Sequence, residues 1–191
     1  MAKNFVEELK WRGMVKDCSS TELAEKHLAP GTKFYIGFDP TGNSLTCGHL
    51  VQIVRIKLLE ERGLIPICLI GGTTGAIGDP KPNGERHILS NDEVKKNVDS
   101  IEKQVKKILK SDKVIFVNNS TWLSKLSIIE FLRDFGKNFG INYMLEKDVI
   151  KRRLETGISY TEFSYLLLQS IDFYHLYKNY GCKIQFGGSE Q

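Results

Sequence analysis

Six consecutive residues, Ile65-Pro66-Ile67-Cys68-Leu69-Ile70, contain no charged or amide side chain. The run has the length of a strand and is too continuous for one with a solvated face. A strand covered on both faces belongs to a parallel sheet whose crossovers are helices. The flanking sequence agrees. Residues 33–39 (KFYIGFD) form a second strand-length apolar run. Between the two, Leu50, Val51, Ile53, Val54, Leu58 and Leu59 predict a helix from about residue 48 to 62, stopped by Gly63. Ser90 and Glu93 form a capping box ahead of Val94, Val98, Ile101, Val105 and Ile108 at helical spacing. A third strand is predicted over 113–117 (KVIFV). A second capping box, Ser127 and Glu130, opens a helix that stops near Gly136. Further helices are expected over about 146–154 and 161–179, then a short strand at 183–186 (KIQF). Strands alternating with helices define an α/β chain, a parallel sheet with right-handed crossovers and helices on both faces. With no repeat or linker, one domain over 1–191 is the simplest division.

Composition narrows the class. The chain has 191 residues, 41% hydrophobic and 26% charged, with net charge +4. Such a chain builds a core, and its mild basic excess admits an anionic partner without requiring one. Cysteines 18, 47, 68 and 182 are scattered without a CxxC pair, the pattern of reduced thiols in the cytoplasm and not of a zinc site. No metal-ligand constellation stands out. The start, MAKNFVEELKWRG, reads as a short helix with neither a signal-peptide core nor transit-peptide character. No apolar run approaches the roughly 20 residues that span a membrane.

Parallel sheets bind ligands beyond the carboxyl ends of their strands. Three unusual stretches fall at such ends. In YIGFDPTGNSLTCGHL, Asp39 and Thr41 follow a strand, and Gly48 and His49 open a helix whose free N–H groups favour an anion. In GGTTGAIGDPKPNGER, four glycines within eight residues point to a backbone shaped around something. Asp79 could accept from an ammonium group, and Lys81 and Arg86 could reach phosphates. The third is the terminal GGSEQ. A further signal lies on the helix beginning YTEFSYLLLQSIDF. Tyr165, Gln169 and Asp172 share one face there, at i, i+4 and i+7, amid Phe163, Leu166, Leu167, Leu168, Ile171 and Phe173. A solvent face usually carries Lys and Glu; Tyr, Gln and Asp suit hydrogen bonding inside a pocket. His27, His87 and His175 are read as ordinary histidines. The lysines at 95, 96, 103, 106 and 107 read as a solvated helix face.

Together these pieces resemble the catalytic domain of bacterial-type tyrosyl-tRNA synthetases, class I aminoacyl-tRNA synthetases. The resemblance runs along nearly the whole chain, through NFVEELKWRG, GFDPT..SL..GHL, GG.TG.IGDP, FLRDFGKNFGINYML, ETGISYTEFSYLLLQSIDF and GCKIQFGGSEQ. It implies a Rossmann-like nucleotide fold, activation of L-tyrosine with ATP (Mg2+ accompanying the nucleotide, no protein-held metal), and transfer of tyrosine to tRNA(Tyr). By resemblance, Tyr35 and Asp172 bind the phenol hydroxyl. Asp79, Tyr165 and Gln169 hold the ammonium group, with Gln191 beside the pocket and Asn119 supporting it. Asp39, Gly48, Gly188 and Glu190 line the adenosine side. His49 and Thr41 face the phosphates, with Thr46 in the family's first signature, and Arg86 and Lys81 contact the leaving pyrophosphate. It also implies a cytoplasmic homodimer joined around FLRDFGKNFGINYML. Attack of a carboxylate on an α-phosphate calls for alignment and charge stabilisation rather than a protein nucleophile.

Departures from the family pattern are visible. The first signature, usually His-x-Gly-His, reads Thr46-Cys47-Gly48-His49. GGSDQ is here GGSEQ, and the loop after Asp79 is shorter and carries fewer lysines. The family's second, lysine-rich signature and its anticodon-recognising domains would lie beyond residue 191, so the resemblance implies the N-terminal catalytic portion of a longer enzyme. The alternative is a truncated, non-catalytic tyrosine-binding or interaction module derived from this family. A tryptophan-specific relative is disfavoured because Tyr35 and Asp172 suit a phenol.

Overall fold

A computed structural model describes residues 5–78 and 89–188. Four parallel strands, β1 (Lys33–Phe38), β2 (Ile65–Ile70), β3 (Ile115–Asn118) and β4 (Cys182–Phe186), lie in the order β3-β2-β1-β4. The short helices α1 (Phe5–Trp11) and α2 (Thr21–His27) precede the sheet. Helix α3 (Cys47–Glu61) joins β1 to β2. The one-turn helix α4 (Thr74–Ile77) and α5 (Asn91–Leu109) lie between β2 and β3. Then come α6 (Ser120–Leu123), α7 (Ile128–Glu130), α8 (Ile141–Leu145), α9 (Asp148–Leu154) and the long α10 (Tyr160–Tyr180).

The strand pleat sorts the core. Phe34, Ile36 and Phe38 of β1, with Cys68 and Ile70 of β2, pack with Ile53, Ile56 and Leu59 of α3 and with Val94, Val98, Ile101 and Val105 of α5. Tyr35, Ile67, Leu69 and Val117 turn to the opposite layer, with Leu176 of α10, Phe173 and Trp122. Both faces are therefore covered, as the continuous run at 65–70 required. Each fully buried Ile or Phe contributes roughly 1.5–3 kcal/mol. Pro66 fits in central β2 because pairing with β3 starts only at Ile67. Ile65 donates toward the β1 side, so the missing proline N–H faces a position that has no ladder partner.

Most sequence-based elements stand within a residue or two, including both capping boxes. Three differ. The third strand is Ile115–Asn118, because α5 ends in a left-handed Lys110 (φ 49°) and the Lys113 N–H is taken by Ser111 Oγ. The segment opened by Ser127 runs as α-helix only to Glu130, continues as a π turn over Phe131–Phe135, and ends as a 3-10 turn over Gly136–Asn138. The helix expected at 146–154 begins at Asp148, with α8 a separate element before it. Among the described residues no helix is long and apolar enough to cross a membrane.

Candidate active site

Strand order reverses direction between β1 and β4, so the ligand crevice lies beyond their carboxyl ends. The rim on one side is the start of α3. Extended Thr46 precedes it, and its backbone N–H donates to His49 Nδ1 at 2.9 Å, with Thr46 Oγ1 3.0 Å from the same nitrogen. A nitrogen that accepts carries no proton, so the neutral imidazole presents Nε2–H as its remaining donor. Burial lowers the His49 pKa, against an opposing pull from Asp39, and the ring stacks on Phe38 with centroids 6.1 Å apart. Gly48 is exposed, and a Cβ there would meet nothing closer than Thr46 Oγ1 at 3.7 Å. Thr41 is exposed on the loop leaving β1. Gly188 follows β4 at the opposite rim.

Beneath the crevice, on the α10 side of the sheet, lies a connected polar interior. Tyr165 (5% exposed) donates from Oη to Asp39 Oδ2 at 2.7 Å. Thr74 Oγ1 donates to Asp39 Oδ1 at 2.8 Å. Asn119, fully buried, donates from Nδ2 to Thr74 Oγ1 and to Asp172 Oδ2, both at 2.9 Å, and accepts the Thr73 N–H at 2.8 Å. Trp122 Nε1 donates to Asp172 Oδ1 at 2.8 Å. The polar stripe of α10 is therefore an inward face, with Tyr165 and Asp172 buried and Gln169 half-buried beside them. Satisfied networks of this kind fix side-chain positions.

The glycine loop serves this network. A Cβ on Gly71 would stand 2.0 Å from Asp39 Oδ1, one on Gly72 2.3 Å from Asn118 Oδ1, and one on Gly75 2.6 Å from Pro40 Cδ. The first two are shaped around the protein's own polar groups and the third around the Pro40 ring, where the sequence alone pointed to an unspecified object. Gly37 is the opposite case. It follows Tyr35 on the same face of β1, is exposed, and a Cβ there would meet nothing within 4 Å among the described residues.

The Tyr35 hydroxyl stands outside this network. Tyr35 is 2% exposed and its hydroxyl has no hydrogen-bond partner among the described residues. Burial, then the charges of Asp172, Cys182 and Asp39, raise its pKa well above the usual phenol value, so it stays a neutral donor. Burial also lifts the Asp172 carboxyl to about 7; the Asn119 and Trp122 donors oppose that rise and Asp39 adds to it. A carboxyl raised on folding holds its proton in the folded chain while the unfolded chain has released it. Stability from this group is full below about pH 4 and is lost as pH rises to about 7. His49 and His175, both lowered by burial, act in the opposite sense near pH 6. Thermal melts of wild type minus those of Asp172→Asn should therefore isolate a component that declines between pH 4 and 7. A flat difference would show that Asp172 is ionised throughout.

Tyr35, Asp39, Asn119, Tyr165 and Asp172 are thus joined in one region, and Thr46, Gly48 and His49 in another at its rim. Asp79, Lys81, Arg86, Glu190 and Gln191 lie outside the described residues. Two members escaped sequence reasoning. Trp122 sits one turn after Asn119 and carries an indole N–H that needs a partner when buried, a usable signal. Thr74 gave none. His175 lies flat on Trp122, with ring centroids 4.2 Å apart, consistent with a packing role.

A parallel sheet with a helix N-terminus at the rim of its switch-point crevice and a polar, aromatic-lined interior below places the chain among α/β proteins with a candidate ligand site beyond the strand ends. The chain belongs to the tRNA synthetases class I (W and Y), the family whose sequence profile matches residues 29–191. It is 54% identical over 190 residues to the tyrosine–tRNA ligase of Aster yellows witches'-broom phytoplasma and 50% identical over 192 residues to that of Cutibacterium acnes. In each alignment it is covered to 98%, against 46% of the relative. The chain therefore spans about half the length of the curated relatives it matches. Its fold superposes on a C-terminally truncated mitochondrial tyrosyl-tRNA synthetase from Aspergillus nidulans with a TM-score of 0.85 at 32% identity, covering 99% of this chain and 58% of that one.

Proposed function

We propose that the chain is the tyrosine- and ATP-binding portion of a cytoplasmic tyrosine–tRNA ligase, which forms tyrosyl-adenylate and pyrophosphate and then transfers tyrosine to tRNA(Tyr). The observation that carries the reading is the Tyr35 hydroxyl, buried and unpartnered beside the buried Asp172 carboxyl, with open space over Gly37. A substrate ring over Gly37 brings its own hydroxyl between the two. It accepts from Tyr35 and donates to Asp172, and phenylalanine leaves both unsatisfied. Loss of such a buried pairing is the physical basis of hydroxyl selection established for tyrosyl-tRNA synthetases. The same pair disfavours an indole, which has no hydroxyl to place there.

Tyr165, Gln169 and Asp79 hold the ammonium group, with Gln191 alongside, while Asn119 fixes Asp172 from behind. The substrate carboxylate attacks the α-phosphate of ATP and pyrophosphate departs. The α3 N-terminus, His49 Nε2–H and Thr41 stabilise the charge on the phosphates, with Thr46 setting the His49 tautomer. Arg86 and Lys81 attend the leaving group; Asp39, Gly48, Gly188 and Glu190 line the adenosine side. ATP enters as a substrate with its Mg2+. The chain pairs with a second copy through the exposed Ile128, Ile129, Leu132, Ile141 and Tyr143, 48–72% accessible. A monomeric mass at micromolar concentration contradicts that pairing.

Tyr35→Phe tests the reading because it moves two properties in opposite directions. Removing a buried, unpartnered hydroxyl should stabilise the free chain by about 1 kcal/mol, whereas losing a donor to the ligand should weaken tyrosine binding about tenfold. A lowered melting temperature, or unchanged affinity, would show that this hydroxyl is not waiting for a substrate.

A further inference from the structure

Helix α3 holds a buried cation that none of the chemistry above uses. Arg55, six residues past His49, is 7% exposed. Its Nη1 donates to Gln52 Oε1 at 2.9 Å and to the Gly187 carbonyl at 3.2 Å, and its Nη2 to the Met14 carbonyl at 2.9 Å. The guanidinium carbon lies 5.5 Å over the Phe186 ring, and among the described residues Nε is buried without a partner. No carboxylate pairs with it among the described residues. An unpaired buried cation is costly, and an apolar side chain would serve the core better. What arginine supplies is a rigid planar fork of donors. Here the fork joins three segments: the connection between α1 and α2, the α3 turn carrying Gln52, and the end of β4.

Two of these segments are walls of the crevice. Gly187 is followed by Gly188 at the rim beyond β4, and Gln52 sits one turn from His49 on α3. Tyr35, Asn119 and Asp172 belong to the other face of the sheet, under α10, and among the described residues Arg55 has no hydrogen bond to any of them. We propose that Arg55 is a positioning residue for the nucleotide, fixing the separation of the α3 N-terminus and the β4 end through Gly187 and Gln52. The inference rests on the functional reading above and adds an asymmetry: Arg55 governs ATP binding and leaves tyrosine binding alone.

The test is titration of the intact chain with ATP and, separately, with L-tyrosine, for wild type, Arg55→Met and Arg55→Lys. Loss of the fork should weaken ATP about tenfold in Arg55→Met, with tyrosine affinity within about twofold of wild type. Lysine keeps one donor, so Arg55→Lys should recover part of the ATP affinity and remain about threefold weaker than wild type. A merely structural arginine would shift both ligands together. Equal weakening of ATP and tyrosine, unchanged ATP affinity in either folded variant, or a wild-type chain that binds tyrosine but not ATP each overturns the proposal. If Arg55→Met does not fold, Arg55→Lys decides by the same criteria. A wild-type chain that binds neither ligand overturns instead the functional reading on which it rests.

Discussion

Asp172→Ala is expected to weaken tyrosine binding by at least about 100-fold while the chain still folds. The Asp172 carboxyl is the meeting point of Asn119 Nδ2 and Trp122 Nε1, and in the proposed reading it accepts from the substrate hydroxyl. Its removal costs the ligand its hydrogen-bond acceptor and leaves two buried donors turned toward an empty volume. Stability should move much less than affinity. The lost hydrogen bonds oppose relief from the desolvation that holds this carboxyl near 7. Calorimetric titration checks the first expectation and thermal unfolding the second. An affinity within threefold of wild type would remove Asp172 from the pocket.

A pair of alanine substitutions should separate the needs of the fold from those of the ligand. At Gly71 a methyl group would stand 2.0 Å from Asp39 Oδ1 and 2.4 Å from Thr74 Oγ1. Neither can move without breaking the links to Tyr165 and Asn119. Gly71→Ala should therefore destabilise the chain by about 3 kcal/mol, a loss of roughly 10 °C in melting temperature. At Gly37 a methyl group meets nothing within 4 Å among the described residues, so Gly37→Ala should melt close to wild type. It should nonetheless lose most tyrosine affinity, because the methyl group occupies the space over β1 that the substrate ring needs. If Gly37→Ala binds tyrosine normally, the substrate does not lie there.

These predictions draw on features of unequal visibility in the sequence. The two buried strands, the capping boxes at Ser90 and Ser127, and the polar face of α10 were legible because each is written in a short window. An apolar run, an S-x-x-E spacing and an i, i+4, i+7 stripe need no knowledge of the rest of the chain. The π turn at Phe131–Phe135 was hidden, since its residues have ordinary helical propensity. The role of the glycine loop was hidden for another reason. Gly71 matters because of Asp39, which is 32 positions away in the chain and adjacent across the strand ends. The bond from Tyr165 to Asp39 spans 126 residues, and no local pattern encodes it. Family resemblance assigned those two side chains to different parts of the ligand; in the unliganded chain they are hydrogen-bonded to each other. Tyr35 shows a third kind of gap. The sequence places it in a buried strand and resemblance assigns it to the substrate hydroxyl, but only packing reveals that its own hydroxyl has no partner among the described residues.

The central claim is that these residues already form a pocket that reads a phenol hydroxyl. Calorimetric titration of the intact chain with L-tyrosine, and with L-phenylalanine in parallel, tests it most directly. The account predicts saturable tyrosine binding with phenylalanine weaker by at least about tenfold, the least that an unsatisfied Tyr35 and Asp172 should exact. A folded chain that binds the two amino acids equally, or binds neither, would contradict it.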